Sequence, residues 1–440
     1  MEDKKNRVLI LGAGRSSAHL VQYLVDHAVE LGIHVRVGDA DLRMAEEKVG
    51  SSEHASVFEF NAENEVGLES EMAHADIVIS MLPAFMHPKI ANICLRLYKH
   101  LITPSYISAE MMTMDAEAKE KDLIFLNEMG VDPGIDHMSA MKIIHELKSQ
   151  GAEIKAFYSL TGGLIAPSSD NNPWNYKITW NPRNVVLAGA GGTAHFRENG
   201  KDKLIPYQRL FERTISIQIP GYGEFEGYAN RDSMAYEELY DLPNIPTLYR
   251  GTLRKKGFSE AWNVLVQWGL TDDTREMSWE SKTMQDFTQT YLPDASVDYI
   301  KRTVANDVLF KLQWLGLWDV TPVPIVKGTA AQVIQALIEE RWKLDPHDRD
   351  MLVMCHLFDY KMEGQHFRMQ SSMVLEGENN KYTAMSATVG LPMAIAVKHI
   401  LQGSWKQRGV ILPVHEEIYK PILEELEKFK IQFTEQVTAC

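Results

Sequence analysis

RVLILGAGRSS, running from Arg7 to Ser17, decides the fold. Its first part, Arg7 to Leu11, is a short apolar run that stops at a glycine and reads as a buried parallel strand. Gly12-Ala13-Gly14-Arg15-Ser16-Ser17 fills a GxGxxG frame, with Ser17 standing at the third glycine. Gly12 permits the tight turn after the strand, and Gly14 lets backbone approach a pyrophosphate with no Cβ in the way. Arg15, Ser16 and Ser17 open a helix whose free N–H groups and positive dipole end suit phosphate. A small residue such as Ser17 can still pack helix on strand.

Outward from that turn, Ser16 to Leu31 reads as a helix with Leu20, Val21, Leu24, Val25 and Ala28 on one face. Further strands follow at Val35–Val37, Ala55–Phe60, Asp76–Met81, Leu101–Pro104 and Leu123–Asn127. Helical stretches at Leu42–Lys48, Pro88–Tyr98 and Ala109–Lys121 lie between them. Strands alternating with helices predict a Rossmann-type, doubly wound parallel sheet. Asp39 closes the second strand 22 residues beyond Ser17, where a carboxylate accepts hydrogen bonds from ribose hydroxyls and repels a 2′-phosphate. Asp41 is a rival deeper in the loop. The expected cofactor is therefore NAD in preference to NADP.

The pattern changes after residue 130. Ile135–Gln150 reads as a helix, and 152–231 as strands and Gly/Pro-rich loops, including Ile154–Leu160 and Thr214–Ile219. Residues 257–344 read as helical, Arg349–Tyr360 and Gly364–Leu375 as paired strands, and Ala384–Leu401 and His415–Lys428 as helices. Ile431–Val437 reads as a last strand. The pattern therefore divides near residue 130, with a strand- and loop-rich region after the alternating one and a helical region beyond it.

Composition narrows the function. The 440 residues carry a formal charge of −15, which argues against a nucleic-acid partner and leaves room for an acidic small molecule held by local Arg and Lys. Cys94, Cys355 and Cys440 show no paired spacing, and no HExxH, EF-hand loop or Cys/His set suggests a metal. No signal peptide or membrane span is expected, so the location expected is cytoplasmic.

Longer motifs are more specific. SMLPAFMHPKIA (Ser80–Ala91), TPSYISAEMM (Thr103–Met112), NEMGVDPGIDHMSAMK (Asn127–Lys142), GGLIAPSSDNNPWNYKITW (Gly162–Trp180), ANRDSMAY (Ala229–Tyr236), RGTLRKKGF (Arg250–Phe258), DRDMLVMCH (Asp348–His356), YTAMSATVGLPMAIAVKHIL (Tyr382–Leu401) and RGVILP (Arg408–Pro413) stand in collinear order. Together they resemble the saccharopine dehydrogenase family of the glutamate-forming type over nearly the whole chain. The resemblance implies interconversion of saccharopine with glutamate and 2-aminoadipate 6-semialdehyde, by hydride transfer through an imine, in a homodimer. The fold it implies has a Rossmann dinucleotide-binding domain over 1–133, to which 393–440 returns, an inserted α/β mixed-sheet substrate and dimerisation domain over 134–256 and 346–392, and a small helical domain over 257–345.

It also implies residue roles. Asp132 and Tyr106 are the candidates for handling protons, and the competing reading of Asp132 is an N-cap for the helix that follows. Ser105, Tyr106, Asp132, Arg231, Thr252, Arg254 and Lys177 are the expected substrate ligands, since a planar guanidinium binds carboxylate in a fork. Gly12, Gly14, Arg15, Ser16, Ser17, Asp39, Asn61, Ala62, Leu82, Pro83, Thr103, Pro133, Gly134 and Trp180 are expected on the cofactor. His87 matches the family but stays outside the catalytic set. Two departures stand out. Thr161 occupies the position of a family Cys, and Gly38-Asp39-Ala40 replaces the Cys-Arg-Thr run with which fungal enzymes hold the NADP 2′-phosphate. Related chemistries remain alternatives: carboxynorspermidine dehydrogenase, homospermidine synthase and lysine-forming relatives, together with a non-catalytic dinucleotide-binding regulator.

Overall fold

A computed structural model describes residues 6–61, 64–187, 192–292, 294 and 296–440. In chain order the strands are β1 Asn6–Leu11, β2 Ile33–Asp39, β3 Ala55–Glu59, β4 Ile77–Ser80, β5 His100–Ile102, β6 Ile124–Leu126, β7 Glu153–Ile165, β8 Ala194–Glu198 and β9 Lys201–Ile205. They continue as β10 Thr214–Ile219, β11 Gly223–Ala229, β12 Thr247–Lys255, β13 Met277–Ser278, β14 Lys327–Gly328, β15 Asp350–Met362, β16 Gln365–Glu376, β17 Gly409–Ile411 and β18 Thr434–Ala439.

The chain divides into two compact units, Met1–Gln150 with Gly377–Phe433, and Gly151–Glu376 with Thr434–Cys440. The first holds a seven-stranded sheet of order β17-β6-β5-β4-β1-β2-β3. Every pairing in it is parallel. The strand order reverses between β1 and β4, which places the loops after these strands at a topological switch point, where ligands bind in such sheets. The apolar runs are strands because both faces are covered: Leu9, Leu11, Val78, Leu101 and Phe125 share one core with Ile90, Cys94 and Met111.

Helix Ala384–Leu401 passes a length-and-composition test for crossing a membrane, which corrects the expectation that no run approaches a span. It is 72% buried inside the fold. Its apolar character has a packing cause: it lies on helix Ala18–Asp26, so close that a Cβ on Gly390 would stand 2.8 Å from the Leu20 nitrogen.

The second unit is built on a nine-stranded mixed sheet, order β10-β11-β12-β7-β15-β16-β18, with β8 and β9 joined to β12. β12 runs parallel to β7, and the other pairings are antiparallel. Helices of the segment expected as a separate domain share one core with this sheet. Trp262, Leu265, Leu312, Ile334 and Trp342 pack with Leu160, Phe225, Leu253 and Val353. Short amphipathic helices cannot bury their apolar faces alone, and here the sheet covers them. The unit boundaries also differ from expectation. Helix Ile135–Ser149 stays with the parallel sheet, whereas β18 leaves it to pair with β16.

Candidate functional site

In the first unit the glycine loop has the expected shape. Gly12 has φ +103°, and a Cβ there would stand 3.1 Å from the Met81 carbonyl oxygen at the end of β4. Gly14 faces open space. Ser17 is buried, and its hydroxyl donates to the Gly14 carbonyl at 2.9 Å. The substituted third position is thus satisfied within the turn, leaving Arg15 exposed and Ser16 half-buried. A bare Gly14 before a short 3-10 turn, Arg15–Ser17, and helix Ala18–Asp26 fits a dinucleotide pyrophosphate.

Asp39 does something the spacing did not reveal. Its Oδ2 accepts from the Ala13 N–H at 2.6 Å and its Oδ1 from the Asp41 N–H at 2.9 Å. The carboxylate bridges the glycine loop and the end of β2, and both oxygens are engaged by backbone. Asp41 caps helix Leu42–Val49 and forks onto Arg43 at 2.9 and 3.0 Å. Leu82 packs on the core of this unit, and Pro83 is exposed beyond β4. Asn61 is exposed, with its carbonyl accepting from the Asn64 N–H. Ala62 lies outside the described residues.

The loops after β5 and β6 bring the two proton-handling candidates together. The Tyr106 hydroxyl donates to Asp132 Oδ1 at 2.7 Å. The Asp132–Pro133 peptide is cis. Asp132 does not cap the following helix: the N-cap is Gly134, and its N–H donates to Asp136 Oδ1 at 2.6 Å. Gly134 has φ +147°, and a Cβ there would fall 2.0 Å from the Gly130 carbonyl oxygen. Thr103 is buried, its hydroxyl donating to Asn127 and its N–H to the Leu126 carbonyl, so it serves the strand ends.

Beneath this pair lies a buried polar group that sequence reasoning missed. Glu128 accepts from the Ile107 N–H at 2.9 Å and meets His137 Nε2 at 2.7 Å. His137 Nδ1 is 3.7 Å from Asp136. These contacts tie the residue after Tyr106 to the turn that carries Asp132. The signal was in the quoted motif: three acids and a His within NEMGVDPGIDH. His87 joins two hydroxyls that the sequence does not link to it. Its Nδ1 lies 2.9 Å from Ser80 Oγ and its Nε2 2.9 Å from Ser105 Oγ. Burial pushes its pKa down to about 4, so the ring is neutral.

In the second unit the expected residues lie on and around β12. Arg250, Thr252 and Arg254 alternate along that strand and share one face, where Thr252 is in register with Tyr228 of β11 and Thr161 of β7. Arg254 is 3% exposed. Its guanidinium carbon sits 4.9 Å from the Tyr176 ring centre and 5.3 Å from that of Phe258. One N–H donates to the Leu253 carbonyl, while Nε has no partner. Among the described residues no carboxylate pairs with it. A buried cation held by rings and one carbonyl is poorly compensated and suited to an anion. The Thr161 hydroxyl, at the family Cys position, is likewise buried without a partner.

Arg250, overlooked in the sequence, is buried with its guanidinium 4.1 Å from the Tyr236 ring centre. Its signal was the alternation Arg-x-Thr-x-Arg. Arg231 is exposed at φ +50° in the turn after β11. Lys177 departs from expectation. Its ammonium is buried against Asp348 and lies 3.4 Å from Asp345, so its charge is already compensated and unsuited to anchoring a ligand. Trp180 packs on the core of the second unit.

Comparison with known proteins matches both parts of the chain. Residues 8–126 match the family model of the saccharopine dehydrogenase NADP binding domain, and residues 130–431 that of the saccharopine dehydrogenase C-terminal domain. A saccharopine dehydrogenase (NADP+, L-glutamate-forming) of Pyricularia oryzae is 34% identical over 460 residues, covering 98% of this chain and 99% of its own. The mitochondrial alpha-aminoadipic semialdehyde synthase of Bos taurus is 31% identical over 99% of this chain and 48% of its own. The structure of apo saccharopine dehydrogenase (L-Glu forming) from Saccharomyces cerevisiae superposes with a TM-score of 0.85 at 29% identity, covering 99% of this chain and 100% of that one.

These findings overturn the expectation of NAD in preference to NADP. The matching domain model is an NADP binding domain, and the fungal relatives are named as NADP+ enzymes. The physical reason lies in Asp39, which was read as a free ribose acceptor and is instead a backbone clamp. With matching models spanning both units and full-length relatives above 30% identity, the chain belongs to the saccharopine dehydrogenase family.

Proposed function

We propose that this chain is a glutamate-forming saccharopine dehydrogenase. It interconverts saccharopine, water and NADP+ with glutamate, 2-aminoadipate 6-semialdehyde, NADPH and a proton, through an imine. The observation that carries the reading is the Tyr106–Asp132 hydrogen bond at the carboxyl edge of the dinucleotide-type sheet. The bare Gly14 with Arg15 and Ser16 would hold the pyrophosphate of NADP, which when bound supplies the hydride acceptor and donor.

The residues of each unit have separate tasks. In the first, Asp132 and Tyr106 hold and move the proton at the substrate nitrogen, and Ser105 offers a hydroxyl to the substrate. The Glu128–His137 pair keeps their loops in place. In the second, Arg254 forms a charge-assisted bond to a substrate carboxylate, with Thr252 and Arg231 as further ligands. The expected homodimer and cytoplasmic setting belong to this proposal, and light scattering and cell fractionation test them.

Positioned acid–base groups contribute roughly 10²–10⁴-fold to rate. Asp132→Asn and Tyr106→Phe should each lower kcat with saccharopine by about 10²-fold or more. The dissociation constant for NADP+ should stay within about twofold, because neither residue belongs to the glycine loop. Turnover unchanged in both variants would remove the pair from the chemistry. A polyamine turned over in place of saccharopine would reassign the substrate.

A further inference from the structure

We propose that Ser80, His87 and Ser105 form a directional hydrogen-bond relay that turns the Ser105 hydroxyl outward as a donor to a substrate carboxylate, with His87 as its positioning residue. The proposal rests on the reading that Ser105 meets the substrate.

The chain of contacts is short and buried at its base. Ser80 ends β4 and is fully buried, and His87 opens helix His87–Leu97 and is 3% exposed. Ser105 is half-buried in the loop after β5. The imidazole meets both hydroxyls at 2.9 Å, one through each nitrogen. With the ring neutral, one nitrogen donates and the other accepts. Two arrangements follow.

If Nδ1–H donates to Ser80, Nε2 must accept the only hydrogen that Ser105 carries. The Ser105 hydroxyl could then only accept from a ligand. If the Ser80 hydroxyl donates to Nδ1, Nε2–H donates to Ser105 and the Ser105 hydrogen is free to point outward. An ionised carboxylate is acceptor-only, so it selects the second arrangement. Among the described residues the buried Ser80 hydroxyl meets no acceptor besides His87 Nδ1, so it donates there; that favours the same arrangement, and the tautomer sets the polarity of Ser105. A second shell of this kind fixes which nitrogen of a His is protonated. His87 never touches substrate here. It converts a buried hydroxyl on a strand end into the orientation of a hydroxyl at the sheet's carboxyl edge.

The test combines kinetics with a spectroscopic reading. Ser105→Ala and Ser80→Ala should each raise the KM for saccharopine about fivefold to tenfold, leaving kcat within about twofold. The value rests on a neutral-donor hydrogen bond of about 1–1.5 kcal/mol. The double variant should resemble Ser105→Ala alone, because both changes remove one donor, and Ser80→Thr, which keeps the hydroxyl, should restore the native KM. In ring-¹⁵N-labelled protein, assigned by the signal lost in His87→Gln, His87 should be the Nε2–H tautomer in the native chain and shift toward Nδ1–H in Ser80→Ala. If the Ser80 and Ser105 effects multiply, or His87 is already Nδ1–H in the native chain, the relay is overturned. If Ser105→Ala leaves KM unchanged, the reading of Ser105 as a substrate ligand fails instead, and the relay with it.

Discussion

At the residue scale, His87 links protonation to stability. Burial lowers its folded pKa from 6.5 to about 4. Between those values the unfolded chain binds the proton and the folded chain does not, so stability rises with pH across that window. The contribution is fully present above about 6.5 and lost as pH falls through about 4, amounting to about 3 kcal/mol. His87→Gln keeps polar groups but does not titrate. Urea unfolding at pH 7 and at pH 4 should show the native chain losing about 3 kcal/mol more than this variant; equal losses would discard the linkage. Asp39 gives a second prediction. Removing it leaves the Ala13 and Asp41 N–H groups without their acceptor. Asp39→Ala should weaken NADP+ binding about tenfold by titration calorimetry, a loss of roughly 1.4 kcal/mol expected from a loosened loop. Tighter binding in that variant would mean the carboxylate repels the 2′-phosphate after all. Residue type and spacing were legible here, and partners were not. Sequence placed an acid at the end of β2 but could not show its oxygens turned onto backbone. It offered Lys177 as a cation but not Asp345 and Asp348, which meet it from far along the chain.

At the scale of elements, the first six strands of the parallel sheet are readable as apolar runs stopped by Gly, Pro or a polar residue. β17 escaped notice: Gly409–Ile411 is too short to show periodicity and joins β6 from the far end of the chain. The break in the first helix at His27 was also invisible, since the apolar face continues across it. Helix Ala384–Leu401 was placed correctly, but its purpose came from packing. Gly390 sets how near it comes to helix Ala18–Asp26. Alanine is better than glycine in a helix by about 1 kcal/mol. Against that, a Cβ 2.8 Å from the Leu20 nitrogen and 3.0 Å from its Cβ forces two backbones apart, and overpacking costs roughly 1–3 kcal/mol. The clash should win. Gly390→Ala is expected to lose about 1 kcal/mol in urea unfolding, and Gly390→Val more. A stabilised Gly390→Ala would show that helix propensity outweighs the contact.

At the scale of the whole molecule, three expected domains became two units because the helices of 257–345 bury their faces in the same core as the mixed sheet. Sequence periodicity shows that a helix has an apolar face, not what covers it. Each unit has its own core, and a chain of this kind need not unfold in one step. The tryptophans make that testable. Of the nine, only Trp405 lies in the first unit, while Trp174, Trp180, Trp262, Trp268, Trp279, Trp314, Trp318 and Trp342 lie in the second. In Trp405→Phe, tryptophan emission therefore follows the second unit alone, whereas calorimetry follows both. The glycine loop belongs to the first unit. NADP+ at about 100 times its dissociation constant should stabilise that unit by about 2.7 kcal/mol. The expected result is a calorimetric transition that moves upward with NADP+ while the emission midpoint stays in place. If both midpoints climb together, the two cores unfold cooperatively, and nucleotide affinity and the integrity of the Arg254 face rise and fall as one quantity.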